Sequence, residues 1–489
     1  MSVTHPIARS PVVPIVPPSA PSPVKLARAP LSTPRLLQAS LAGLALTVLL
    51  FWIVGAMVIS ASKQGVQTIG HDTAPSVVAA QAIRAHLANL DASAANAGLT
   101  RGPAQAQAWK DYAAEQALLS DYLVSAAQNI TYGDAERKPI LAIATGVQRY
   151  ADLIGQARAL MESIDLKQSA IPDAALALFR RANALTNNEL LPAAAALNDA
   201  NESVLNATWD ARKSTFTTTR VWLFASALPA LILLAWLQWT LLARTNRLLN
   251  PGVLGATILM VVVALWTAID LGASNTALTS AKQDAFDSVR AIWKSRAVAY
   301  SANADESYFL LDGANKLNYG LSFRKKIAEL TDDAFFDKAE RQRILADVAR
   351  FRSRNCVADN RPQYDGLLGA ELMNVTFDGE CAGAAAAYTT LGTYLDIDAR
   401  IRALDASGQR DAAIALNVGI KPGESNYAFD AFDKALGKII DINQTAFDAA
   451  IVSAESDLAP LTWIIGIGGL LALLLAFVGL RPRLNEYRT

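Results

Sequence analysis

Histidine and cysteine are nearly missing from this chain: three of the first and two of the second in 489 residues. His5, His71 and His86 lie in the tail or the first half, whereas Cys356 and Cys381 both lie in the second. A zinc site or a thiol nucleophile needs its partners close by, so neither is expected. No His–Glu–x–x–His run, phosphate-binding glycine loop or nucleophile elbow occurs. No catalytic residue and no cofactor are therefore expected. Charge of one sign is lacking too. With 44 basic and 44 acidic residues the chain is neutral, and it has no basic face for nucleic acid.

Long apolar runs are what it does have. Four stretches, residues 37–60, 221–243, 253–272 and 461–480, carry no charge until their edges. Each matches the roughly 20 residues that a helix needs to cross the hydrocarbon core. Between them lie two long soluble segments, 61–220 and 273–460, and the rest is a tail (1–36), a hairpin (244–252) and a stub (481–489). The tail carries Arg9, Lys25, Arg28 and Arg35 without an acid, the hairpin Arg244 and Arg247, and the stub Arg481, Arg483 and Arg488 against Glu486. Short loops rich in Lys and Arg stay in the cytoplasm, which predicts both termini inside and both long segments outside. The tail is too long and proline-rich for a signal-peptide n-region, so the first span is expected to be an uncleaved anchor in the plasma membrane. Spans without buried charges, and so few of them, argue against a transporter.

Prolines at 6, 11, 14, 17, 18, 21, 23, 30 and 34 predict a disordered tail with local polyproline II. In it Ser10, Ser22 and Thr33 each precede a proline and are candidate phosphorylation sites, although a plain soluble leader is the simpler reading. Arg244, Arg247, Arg481 and Arg483 first satisfy topology, and their second candidate use is to dock a cytoplasmic partner.

Both soluble segments read as all-helical. In the first, helices are expected near 74–98, 104–130, 135–165 and 173–219, broken at Gly98–Gly102, Gly133 and Ile171–Pro172. Alanine dominates, which allows close packing in a slender bundle. In the second, Phe286, Val289, Trp293, Tyr300, Ala304, Tyr308 and Leu311 recur on one helix face, as do Phe429, Phe432, Leu436, Ile440, Phe447 and Ile451. Between these two come helices at 321–330 and 335–351, an irregular section at 355–379, a helix at 382–404 and a short one ending near Val418. The outer helices of each bundle are expected to continue into the bilayer, with Pro460 at a start or kink. Pro229 and the run Gly466–Gly469 are places where a span could flex or pack closely.

Outside the cell thiols oxidise, so Cys356 and Cys381 are expected to form a disulfide worth about 3 kcal/mol on the loop-entropy model. The loop it closes holds Asp359, Arg361, Tyr364 and Asp378, expected in the membrane-distal half. A braced loop is a reasonable contact surface for a binding protein, and plain structural bracing is the simpler reading. Asp305 and Glu306 read as a solvated helix face.

The turn and helix Ala406–Ser407–Gly408–Gln409–Arg410–Asp411–Ala412–Ala413–Ile414–Ala415–Leu416, then Phe429, Phe432 and Phe447, with Arg296–Ser307 before them, resemble the four-helix-bundle sensor domains of bacterial chemoreceptors and sensor kinases. The tandem layout and the ending Arg481–Pro482–Arg483–Leu484–Asn485–Glu486–Tyr487–Arg488 are similar to a four-span actinobacterial membrane protein family associated with a glutamine/glutamate-binding lipoprotein and protein kinase G. The cysteine loop has no counterpart in a motif of that family. The resemblance implies an amino-acid signal passed from an extracellular solute-binding lipoprotein to a cytoplasmic kinase, and by analogy a homodimer. The expected fold is all-α, with four transmembrane helices and two tandem extracellular bundles. The expected function is a non-enzymatic sensor, with an envelope-assembly scaffold for cell-wall factors as the alternative.

Overall fold

A computed structural model describes residues 33–162, 171–245, 249–357 and 361–485. Among them every regular element is helical. The candidate phosphorylation sites Ser10 and Ser22 lie outside the described residues.

The first half begins with α1 (Thr33–Gln67), a π-helical turn (Thr68–Thr73) and α2 (Ala74–Leu99), which form one unbroken rod. Helices α3 (Gly102–Gln128) and α4 (Asp134–Glu162) fold back and forth along it. Next come α5 (Asp173–Leu185), a second π turn (Thr186–Leu190) and α6 (Leu191–Thr245), again continuous. Both π turns have a local cause. Pro75 and Pro192 lie just after them, and each proline ring would clash with the carbonyl four residues back, at His71 and Asn188. The wider π turn accommodates that clash without ending the helix.

The second half repeats the plan with α7 (Pro251–Thr279), a π turn (Ser280–Phe286) and α8 (Asp287–Leu311). This third π turn has no proline beside it. Helices α9 (Lys316–Leu330), α10 (Lys338–Ser353), α11 (Gly366–Asn374), α12 (Glu380–Ala406) and α13 (Arg410–Val418) lead to α14 (Ser425–Leu458) and α15 (Leu461–Asn485). A turn at Ala459–Pro460 joins the last two, and the Pro460 carbonyl accepts from the amides of Trp463 and Ile464. The breaks at Gly102, Gly133 and Pro172 fall where turn chemistry predicts them, and Gly102 and Gly133 both have positive φ. Helix α11 lies in the section expected to be irregular. Its Leu368 and Leu372 are buried, so docking on the core outweighs the glycines at 366 and 369.

Among the described residues four helices, Pro34–Leu99, Asp173–Ala243, Pro251–Leu311 and Ser425–Arg483, are long and apolar enough to cross a membrane, and the chain reads as a multi-pass membrane protein. Their apolar parts form a ring in which α1 packs on α6, α6 on α7, α7 on α15 and α15 on α1. Phe51, Leu234, Met260 and Ile465 face inward, whereas Leu46, Trp239 and Leu470 are exposed on the outer surface. The Gly466–Gly469 run packs closely: Cβ atoms added to Gly468 and Gly469 would lie 2.5 Å from Val263 and 2.8 Å from Val48.

The two soluble segments share one hydrophobic core instead of standing apart as two bundles. Helices α2 and α8 pack together at its centre. Residues 80–83 and 90–95 of α2, and 301–308 of α8, are buried without interruption. A stretch of helix buried on every side cannot be an outer helix of a bundle, and each of these two covers the other.

Candidate functional site

The membrane-distal end of this joint core is polar. Asp91, the one acid among the alanines of α2, is buried. Tyr150 of α4 and Tyr308 of α8 donate their hydroxyls to its Oδ1 at 2.9 and 3.1 Å, and Asn183 of α5 donates to Oδ2 at 2.7 Å. Burial pushes this carboxyl up to about 6, although the three donors pull it back. Beside it, Arg180 of α5 grips Asp312 at the end of α8 with Nε and Nη2, at 2.6 and 2.5 Å. Ser307 donates to Asn96 at 2.7 Å, and lower down Arg290 pairs with Glu202. Every one of these contacts except Tyr150–Asp91 and Asn183–Asp91 joins the first half to the second.

Asp305 and Glu306, expected on a solvated face, are both buried. The correction follows from the central place of α8, which has no solvated face at that level. Glu306 accepts from Ser425 at 3.1 and 3.0 Å and from Tyr394 at 3.1 Å. Burial, with Asp398 nearby, pushes it up to about 8. Asp398 is held by Arg402 Nε at 3.0 and 2.8 Å, and that guanidinium lies over the rings of Phe309 and Phe323. Asp305 pairs with Lys326 at 2.6 Å.

A groove of about 460 Å³ opens between α4 and the second π turn, lined by Arg149, Asp152, Arg181, Leu185, Asn188 and Glu189 among others. It offers two guanidinium groups and two carboxylates at its surface. Arg149 and Glu189 pair at 2.5 Å, both more than half exposed. Gly146 sets the wall, because a Cβ there would lie 2.5 Å from Leu190.

Cys356 and Cys381 form a disulfide with Cα atoms 5.9 Å apart, linking the end of α10 to the first turn of α12. The loop sits near the membrane and not in the distal half. Asn374 donates to the Asp284 carbonyl at 3.1 Å and to Ser288 at 2.8 Å, where α8 begins, because α10 descends antiparallel to α12. Arg361 turns inward onto the carbonyls of Met373 and Val375. Tyr364 donates to Asp347 at 3.1 Å, and burial pushes its hydroxyl up to about 12. Asp378 is exposed, and Asp359 lies outside the described residues. Arg361 is thus occupied within the loop itself, and Tyr364 ties the loop back to α10.

At the far end of the spans, α15 continues beyond residue 480 and carries Arg481 and Arg483 on its last turns. Arg483 lines a cavity of about 370 Å³ with Asn250, Gly252, Gly479 and Pro482. Arg244 lies in the last turn of α6, while its side chain and the whole of Arg247 lie outside the described residues.

Sequence reasoning missed Asp91 and the groove, and placed Glu306 on a solvated face. A lone acid inside an alanine run was the available signal for Asp91. The groove residues come from two helices whose facing sides only tertiary packing defines.

Residues 65–210 match the family model of an actinobacterial sensor domain. The match runs from the end of α1 into α6 and includes Asp91, Tyr150, Asn183 and the groove residues. It supports a sensor protein of actinobacteria and suggests a sensing role. No curated protein and no solved structure matches the chain.

Proposed function

We propose that this protein is a non-enzymatic transmembrane sensor. Its soluble body lies outside the cell, and its termini and hairpin lie in the cytoplasm. The observation that carries the reading is helix continuity. The rods Pro34–Leu99 and Pro251–Leu311 run from the buried Asp91 network to the spans without a joint. A displacement of one or two ångströms at one end of such a rod is felt at the other. A solute-binding lipoprotein or a free amino acid supplies the input, and a kinase or adaptor reads Arg244, Arg247, Arg481 and Arg483 on the inner side. The groove at Arg149 and Arg181 suits a zwitterion: guanidinium groups take its carboxylate, and Asp152 and Glu189 take its ammonium. Breaking the exposed Arg149–Glu189 pair to admit it costs only about 0–1 kcal/mol.

Cross-linking in intact cells, gentle solubilisation and mass spectrometry of what co-purifies test the relay. A lipoprotein together with a cytoplasmic kinase is the expected recovery. Finding only cell-wall enzymes would favour a scaffold and sink the relay. Calorimetric titration of amino acids should show binding that Arg181→Ala weakens roughly tenfold, the loss of one charged hydrogen-bonding partner.

A further inference from the structure

Where α1 and α6 leave the bilayer, they enclose a cleft of about 290 Å³. Arg212 of α6 reaches into it and lies against the backbone of α1, donating from Nη1 to the Ser62 carbonyl at 3.0 Å. Gly65 makes that approach feasible, since a Cβ there would lie 2.3 Å from Nη1. The Nε of Arg212 is buried without a hydrogen-bond partner. Among the described residues no carboxylate lies within ion-pair distance of this guanidinium, and burial lowers its affinity for the proton. A half-buried cation without a counter-ion is costly, so the cleft is electrostatically incomplete. Around it stand Gln64, Thr68, Thr208 and Thr219, all able to donate hydrogen bonds, with the apolar Val58 at the membrane side. Lys63 and Lys213 are exposed close by in sequence and add charge of the same sign.

The depth of the cleft points to its ligand. The apolar part of α1 ends at Ile59, and that of α6 begins at Val221. Ser62, Gly65 and Thr219 therefore stand within about 10 Å of the hydrocarbon edge at 1.5 Å per residue, and Arg212, whose backbone is about 13 Å out, reaches down to that level through its contact with Ser62. We infer that this cleft binds a phosphate group, with Arg212 as its main ligand, and that an anionic phospholipid of the adjoining leaflet supplies it. The cleft is apolar toward the membrane and cationic above, which matches the two ends of a lipid better than those of a free ion. The guanidinium supplies charge and hydrogen-bond donors to the phosphate oxygens, and Thr208, one turn before Arg212 on α6, adds a hydroxyl.

Full-length protein stripped of lipid in neutral detergent tests this inference by thermal shift and native mass spectrometry. The probes are dioleoyl-phosphatidylglycerol, dioleoylglycerol and inorganic phosphate. Phosphatidylglycerol should raise the melting temperature and remain bound, whereas dioleoylglycerol, which lacks the phosphate, should do neither. Arg212→Gln should weaken phosphatidylglycerol retention roughly tenfold, and Arg212→Lys should restore part of it. An equal shift with inorganic phosphate, lost in Arg212→Gln, would keep the phosphate site and assign its ligand to solution. Equal responses of wild type and Arg212→Gln, or no preference for phosphatidylglycerol over dioleoylglycerol, would overturn the inference. Should Arg212→Gln not fold, Thr208→Val and the two-lipid comparison on wild type decide the question.

Discussion

At the scale of single residues, two buried carboxyls give the soluble body a pH response with a definite sign. Glu306 is pushed from 4.5 to about 8 and Asp91 from 3.8 to about 6. In each window the folded protein holds a proton that the unfolded chain has lost. Stability is therefore fully present below the unfolded value and lost as pH rises through the folded one. Across either window each pH unit removes about 1.4 kcal/mol per group. Glu306→Gln keeps the shape and cannot ionise, so its melting temperature should pull ahead of wild type as pH rises from 6 to 8. Asp91→Asn should flatten the profile only between about 4 and 6. Thermal melts across that range check both, and parallel curves would refute the assignment. Two separable windows would also show that both groups titrate within an intact core.

At the scale of elements, the disulfide and the span crossings carry the predictions. The Cys356–Cys381 bond closes a loop with a sequence separation of 25. Its removal in Cys356→Ser/Cys381→Ser should loosen α11 by about 3 kcal/mol, read as faster amide exchange over residues 361–375. Exchange that instead rises uniformly over α8 and α12 would mean that the loop braces the whole body. At the hairpin end, Gly252 and Gly479 let α7 and α15 touch. A Cβ on Gly252 would stand 2.5 Å from the Leu475 carbonyl oxygen, and Asn250 caps the crossing by donating to the Gly479 carbonyl at 2.8 Å. Gly252→Val should push the two spans apart and reduce cross-linking of cysteines placed at this crossing, while the same pair in Gly252→Ala should retain more.

At the scale of the whole molecule, the question is whether the halves are independent. Because α2 and α8 bury each other, residues 61–220 alone would expose the face of α2 that α8 covers. That segment expressed by itself is expected to aggregate or to lack fixed packing. Chains split between α6 and α7, each keeping two spans, should co-purify and recover the cooperative melt of the intact protein. Independent, soluble and well-folded halves would disprove the shared core.

The amino-acid sequence alone determined the four apolar spans, the helical character of both soluble segments, and most of the breaks between helices. These are set by local chemistry: apolar length against bilayer thickness, glycine at positive φ, and proline that cannot continue a helix. The Cys356–Cys381 pairing was legible as well, because no other cysteine competes. Tertiary structure decided the rest. Alanine and serine on α2 and α8 fit a helix surface as well as a helix core, so nothing local says that residues 80–95 and 301–308 lie at the centre. For the same reason Glu306 resembles any surface acid until Tyr394 and Ser425 arrive from α12 and α14. Arg212 likewise becomes unusual only when Gly65 of α1 brings a backbone against it and, among the described residues, no acid pairs with it. Burial and pairing depend on which helices meet, and that is fixed by contacts between residues far apart in the chain.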